Sequence, residues 1–216
     1  MKDNYKTNEV KILSHKKPFP LAIGVTLPSI DIAYCTYGKL NKKKDNVVWI
    51  CHALTANADA LDWWDGLVGK GKVFDPAQYF IICANTLGSC YGATCPSSIN
   101  PETGTAYHKD FPLITISDIV NSHDILRQHL KIDQIEVLIG GSMGGQQVLE
   151  WAVAKPMLFK HIIPIATNAK HSPWAIAFNE SQRMALEADP TLFTNSPDAG
   201  HKGLEAARAI AMLSYR

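Results

Sequence analysis

Val137-Leu138-Ile139-Gly140-Gly141-Ser142-Met143-Gly144-Gly145 is the stretch whose reading decides the fold of this chain. An aliphatic, β-branched run enters Gly-x-Ser-x-Gly, and a helix-forming segment, Gln146 to Ala154, follows at once. Strand, tight turn and helix in that order are the context of a nucleophile elbow, where a serine hydroxyl is pushed outward on a strained bend. Glycine at 140 and 144 leaves room for strand and helix to approach closely. Ser142 is therefore the candidate nucleophile, and acyl transfer is the chemistry the motif predicts. The alternative reading of the motif is a glycine-rich turn with a solvated serine; its placement between strand and helix favours the nucleophile.

Outward from the elbow, the chain alternates apolar runs with amphipathic segments. Val47–Cys51, Tyr79–Ala84, Ile135–Ile139 and His161–Ala166 are short continuous apolar runs, the pattern of strands buried on both faces. Residues 31–38 alternate well enough for an earlier strand. Thr115 with Asp118 three residues on predicts a capped helix start, and Ile116, Ile119, Val120, His123, Leu126 and Leu130 share one helical face. This alternation predicts an α/β fold with a largely parallel sheet, right-handed crossovers and ligands at the carboxyl ends of the strands. After Ala166 the character changes. Ser172-Pro173 starts a helix over 173–188, a polar loop follows, and a second helix covers 203–215, with no further strand. Two successive helices after the strands predict the start of a lid. The domain reading is thus a core over 1–168 and an incomplete helical lid over 169–216.

Composition narrows the function classes. The 216 residues carry 46% hydrophobic and 19% charged residues with a formal net charge of +1. No strong field favours nucleic acid or an anionic membrane, and the Lys39, Lys42, Lys43, Lys44 cluster reads as a solvated loop between strands. The five cysteines are Cys35, Cys51, Cys83, Cys90 and Cys95, an odd number without Cys-x-x-Cys. Free thiols in a reducing compartment are expected, with no metal site. The polar Met1–Lys6 segment is unlike a secretory signal, no apolar stretch approaches the ~20 residues of a membrane span, and a cytoplasmic location is expected.

A serine nucleophile needs a base and an orienting carboxylate, which in elbow enzymes follow the serine in the order Asp or Glu, then His. Of the later histidines, His161 falls at the wrong end of the sheet, and His171 and His201 fall in the lid region. The acidic residues after Ser142 have the same difficulty. The chain is read as the N-terminal part of a longer protein or as a degenerate copy. The oxyanion hole needs two backbone N–H groups. Met143 follows the nucleophile, and His52-Ala53-Leu54-Thr55 directly follows a strand, so Met143 and Leu54 are the candidates. His52 reads as a loop-ordering residue rather than a catalytic one.

Further residues carry a resemblance. His52-Ala53-Leu54-Thr55, Trp63-Trp64, Gly71-Lys72-Val73-Phe74-Asp75, Asn85–Gly92, Pro96–Gly104, Gly140–Gly145, Glu150-Trp151-Ala152 and Ala177-Phe178-Asn179-Glu180 occur in order. In these the chain resembles the homoserine O-acetyltransferases, α/β-hydrolase-fold enzymes of methionine biosynthesis, from about residue 15 to its end. The resemblance implies a ping-pong reaction in which Ser142 takes an acetyl group from acetyl-CoA and passes it to the hydroxyl of L-homoserine, with acetyl-CoA a substrate and no cofactor. It implies a substrate-carboxylate arginine, carried here to Arg208, with Arg183 the runner-up. It also implies a homodimer formed through the lid helices. Ala56 stands where the family usually has Gly, the loop before Gly203 looks shortened, and the part of the family that holds the catalytic Asp and His has no counterpart in these residues. The competing readings are homoserine O-succinyl transfer, serine O-acetyl transfer, a related serine esterase, and, from another class, a truncated module that only binds.

Overall fold

A computed structural model describes residues 10–194, 196 and 198–214. The chain divides into two compact units, Met1–Asn168 and Ala169–Arg216.

The first unit is built on a six-stranded sheet. Its strands are β1 (Lys11–His15), β4 (Ile30–Tyr37), β5 (Val47–Cys51), β6 (Phe80–Ala84), β7 (Ile135–Gly141) and β8 (Phe159–Ile165), in spatial order β1-β4-β6-β5-β7-β8. Strands β6, β5, β7 and β8 run parallel; β1 and β4 are antiparallel additions. Two short strands, β2 (Phe19–Pro20) and β3 (Thr26–Leu27), form a separate ribbon. Among the described residues three α-helices follow the strands: α1 (Ala60–Trp63), α2 (Ile116–His129) and α3 (Met143–Ala154).

The centre of the sheet follows from β5. All five of its residues are buried, and their two-residue period divides them between two cores. Val47, Trp49 and Cys51 face a cluster with Ile119, Val120 and Leu126 of α2 and Val148 and Trp151 of α3. Val48 and Ile50 face a second cluster with Cys35, Ile81, Cys83 and Ile139. Burial on both faces is what a continuous apolar run predicts. Helix α2 starts as its sequence signals. The Thr115 hydroxyl accepts from the Asp118 N–H, and the Asp118 carboxylate accepts from the Thr115 N–H at 2.8 Å. The other Asp118 oxygen accepts from the Ala22 N–H at 2.8 Å, which ties the helix start to the β2–β3 ribbon.

One expectation is corrected. His161–Ala166 has the pattern of a strand buried on both faces, yet β8 lies at the end of the sheet order and its residues from Lys160 to Ile165 are exposed. Ile162, Ile163 and Ile165 are 45%, 39% and 39% exposed. The pattern is that of an interior strand; the position is an edge, with β7 on one side only. The sequence reading also lacks β1, β2 and β3, which are too short or too polar to show a period.

The second unit holds α4 (Pro173–Glu187) and α5 (His201–Met212). Ser172 caps α4, accepting from the Ala175 N–H at 3.2 Å, with Pro173 in the first turn. Asp189 joins the two helices. Its carboxylate accepts from the Gly203 N–H at 2.9 Å and from both the Thr191 hydroxyl and N–H, and these bonds hold its pKa down at about 2. All five cysteines are free, and no described helix is long and apolar enough to cross a membrane.

Candidate active site

Ser142 lies where β7 turns into α3, at the carboxyl end of the parallel strands. Its backbone sits at φ 55° and ψ −121°, a region in which a non-glycine residue is strained, and the residue is exposed. Such strain costs about 1–3 kcal/mol and persists only where the surroundings hold it. Here the Ser142 N–H donates to the Ile165 carbonyl at 3.0 Å, and the Ser142 carbonyl accepts from the Thr167 hydroxyl at 2.8 Å and the Gly145 N–H at 2.9 Å.

The flanking glycines are held by sterics. A Cβ on Gly140 would meet the Gly144 carbonyl oxygen at 2.4 Å, and one on Gly144 would meet the Cys51 carbonyl oxygen at 2.0 Å. Helix α3 thus packs directly on the end of β5. Gly145 abuts Thr167, while Gly141 faces open space.

The loop leaving β5 forms the opposite wall. Residues 53–56 make a turn closed by Ala56 N–H donating to the Ala53 carbonyl at 3.0 Å. His52 is fully buried beneath it. Its Nε2 accepts from the Thr86 N–H at 3.0 Å, which leaves Nδ1 as the donor to the Ala53 carbonyl at 2.7 Å. Burial lowers the His52 pKa, against the opposing effect of the Ala53 bond, so the ring is neutral. Both nitrogens are used in holding backbone. His52 therefore orders the loop that carries Leu54.

Leu54 and Met143 line one cleft of about 680 Å³. Its walls include Thr86, Leu87, Tyr91, Cys95, Ile114 and Ile119, mostly from the segment after β6. Asn85 fixes that segment by donating from Nδ2 to the Tyr91 carbonyl. Leu54 is 71% exposed and lines the cleft. Two backbone N–H groups aimed at the oxygen of an attacked carbonyl would stabilise the alkoxide formed there.

Other predicted residues fall elsewhere. His161 pairs with Val137 in the first half of β8, far down the strand from Ser142, and sits 3.9 Å from Glu136. Among the described residues no cluster of His, Cys, Asp and Glu could hold a metal ion. Arg208 lies exposed on α5 and makes no ion pair among the described residues. Arg183 on α4 is engaged, its Nε donating to Glu180 at 2.8 Å. The role of Asn85 is absent from the sequence reading; its signal is a polar residue directly after the apolar β6 run.

Comparison with known proteins agrees with this geometry. Residues 46–207 match the alpha/beta hydrolase fold family. A homoserine O-acetyltransferase of Cyclobacterium marinum is 54% identical over 196 residues, covering 91% of this chain and 56% of the relative. The chain therefore spans about half the length of the curated relatives it matches. Among solved structures, a homoserine O-acetyltransferase from Bacillus anthracis superposes with a TM-score of 0.87 at 29% identity, over 95% of this chain and 60% of that one. The acetyl esterase MekB superposes with a TM-score of 0.85 at 27% identity, over 96% of this chain and 59% of that one.

Proposed function

Because the chain belongs to the α/β-hydrolase family, we propose that Ser142 is an acyl-accepting nucleophile and that the chain is the elbow-bearing part of a homoserine O-acetyltransferase. The observation that carries this reading is the strained, outward Ser142 beside a cleft shared by Leu54 and Met143. The 54% identity to a homoserine O-acetyltransferase supports the choice of donor and acceptor.

The reaction runs in two halves. The Ser142 hydroxyl oxygen attacks the thioester carbonyl of acetyl-CoA as a base takes its proton. The charge on the carbonyl oxygen is met by the N–H groups of Leu54 and Met143, each worth about 3 kcal/mol in such a hole. The intermediate collapses, the C–S bond breaks, and the CoA thiolate recovers the proton. The L-homoserine hydroxyl then attacks the acetyl-serine, and Ser142 regains its proton. Arg208 receives the amino-acid carboxylate, a task suited to a planar two-pronged donor. Its guanidinium carries no competing ion pair among the described residues, unlike that of Arg183. The base and its orienting carboxylate come from sequence outside these 216 residues, as the greater length of the relatives allows. The 216-residue chain alone turns over negligibly, because loss of triad partners costs on the order of a million-fold. The unit 169–216 is the beginning of a helical lid, through which two copies of the whole enzyme pair. The enzyme is cytoplasmic and needs no cofactor.

A second reading is acetyl-ester hydrolysis, with water as the acceptor. The likeness to MekB favours it, and the acetyl-serine is common to both. The test is CoA release by a protein extended in its own reading frame to the relatives' length. Acetyl-CoA and succinyl-CoA are offered as donors, with L-homoserine, L-serine or water as acceptors. The reading expects acetyl-CoA with L-homoserine to be fastest. Succinyl-CoA preference, or a rate unchanged by homoserine, overturns it.

A further inference from the structure

Behind the cleft, where β5 and β6 end under α2 and α3, the core is unusually polar. Trp49 on β5, Asn85 after β6, His123 on α2, and Gln147 and Trp151 on α3 are all buried. The Trp49 and Trp151 indole N–H groups, Asn85 Oδ1, both His123 ring nitrogens and both Gln147 amide atoms find no protein partner at hydrogen-bond geometry.

The three rings are neighbours. The His123 ring centroid is 6.0 Å from that of Trp49 and 5.9 Å from that of Trp151, and the two indoles are 5.1 Å apart. Gln147 lies one turn before Trp151 on the face of α3 whose Gly144 touches the Cys51 carbonyl. The Asn85 backbone acts on the His123 ring as a hydrogen-bond acceptor would, raising its pKa, and a proton on His52 would disfavour one on His123. The group thus reaches from the helix that begins at the elbow to the histidine that orders the Leu54 turn.

Buried polar atoms in native proteins are paired, by protein or by ordered water. Leaving so many unpaired would cost an amount comparable to the whole net stability of a domain. The set holds both kinds of group. The indoles, the Gln147 amide and one imidazole nitrogen donate; the Gln147 and Asn85 oxygens and the other imidazole nitrogen accept. An anion would satisfy only the donors and a metal ion only the acceptors. Water serves both, and polar buried sites in proteins hold it.

We propose that internal water bridges Gln147, His123 and Asn85, and that through this network Gln147 and His123 act as positioning residues for the oxyanion hole. The positioning role rests on the reading of Leu54 and Met143 given above; the water site does not. Gln147 fixes α3, which carries the Met143 N–H. His123 and Asn85 brace the end of β6, whose next residue but one, Thr86, donates its N–H to His52. Oxyanion donors act by being held in place before charge develops, so slack between the two walls lowers the rate of attack while leaving substrate binding unchanged.

Two measurements test this. On the 216-residue chain, oxygen-17 and deuterium relaxation dispersion counts long-lived internal waters, and a crystal structure locates them. We expect density within about 3.2 Å of both Gln147 and His123, and loss of at least one long-lived water in Gln147→Met. If that variant does not fold, His123→Leu gives the same readout. Direct Gln147–His123 bonding without water, or an unchanged water count, overturns the site. On the extended protein, Gln147→Met should lower the acetylation rate about tenfold with the KM for acetyl-CoA unchanged. The double variant Gln147→Met/His123→Leu removes polar atoms on both sides, so it should recover melting temperature but not rate. Recovery of rate together with stability, or an undiminished rate in the single variant, overturns the positioning role. Absence of any acetyl-enzyme in the wild type would instead remove the functional reading and leave the water site standing.

Discussion

Two glycines three residues apart in the elbow should respond to alanine in opposite ways. A Cβ on Gly144 would lie 2.0 Å from the Cys51 carbonyl oxygen, 2.7 Å from its carbon and 3.0 Å from the His52 carbonyl oxygen. A carbon–oxygen contact settles near ~3.3 Å, so α3 and β5 must separate by roughly 1.3 Å. Neither obstacle is a flexible side chain; both are backbone, one of them in a fully buried strand. Overpacking costs about 1–3 kcal/mol where neighbours can adjust, and a site that cannot should reach the top of that range. Gly141 has nothing within 4 Å of the position a methyl group would take there, and its φ is not positive. Alanine there narrows the unfolded ensemble, a gain of about 0.4–1 kcal/mol at a compatible site. Thermal unfolding followed by circular dichroism reads both. At about 2–4 °C per kcal/mol for a chain of this size, Gly144→Ala should melt roughly 6–12 °C below wild type and Gly141→Ala at or slightly above it. Urea titration should rank the three proteins in the same order. Equal losses in the two variants, or a Gly144→Ala midpoint within about 2 °C of wild type, would refute the claim that direct backbone contact between α3 and β5 shapes the elbow.

Acid should destabilise the first unit through its buried histidines. Burial pushes the His123 pKa from 6.5 down to about 3, a proton on His52 would act in the same direction, and burial also lowers the pKa of His52. The neutral forms are favoured on folding, so this stability is complete above about pH 6.5 and is lost as pH falls, roughly 2 kcal/mol for His123 by about pH 5. Replacing His123 with Leu should flatten the slope of urea-derived stability between about pH 7 and 5; an unchanged slope refutes the assignment. Ile162→Lys places a charge on the open edge of β8, and such edges template strand pairing between chains. It should reduce concentration-dependent association in sedimentation velocity without lowering the melting temperature, and unaltered association rejects the edge as its source. In the extended enzyme, Arg208→Ala should raise the KM for L-homoserine about tenfold or more and spare CoA release in the first half-reaction, whereas Arg183→Ala should do neither. Equal damage to both half-reactions would deny Arg208 its role.

The parts of this molecule legible in its sequence are those set by local pattern. Gly140 and Gly144 announce the elbow because a close approach admits no side chain, and the apolar run of β5 announces burial on both faces. Thr115 and Asp118 announce the start of α2 because their reciprocal bonds span only three residues. His52 is legible as a loop-ordering residue, although its partner Thr86 lies 34 residues away. What is not legible depends on neighbours distant in sequence. The apolar run of β8 records an interior position, while its exposure is decided by which strands flank it. His123 reads as one more residue on the apolar stripe of α2. Its significance arises only when Trp49, Gln147 and Trp151 are brought around it from other elements. Asn85 looks like the end of a strand until its bond to the Tyr91 carbonyl shows it shaping the cleft wall.

The most direct test is peptide mapping by mass spectrometry after the extended protein is incubated with acetyl-CoA and no acceptor. The account predicts one acetyl group, on the peptide containing Ser142, released when L-homoserine is added and absent in Ser142→Ala. Free CoA appearing with the label on another residue, or with the same label in Ser142→Ala, would contradict it.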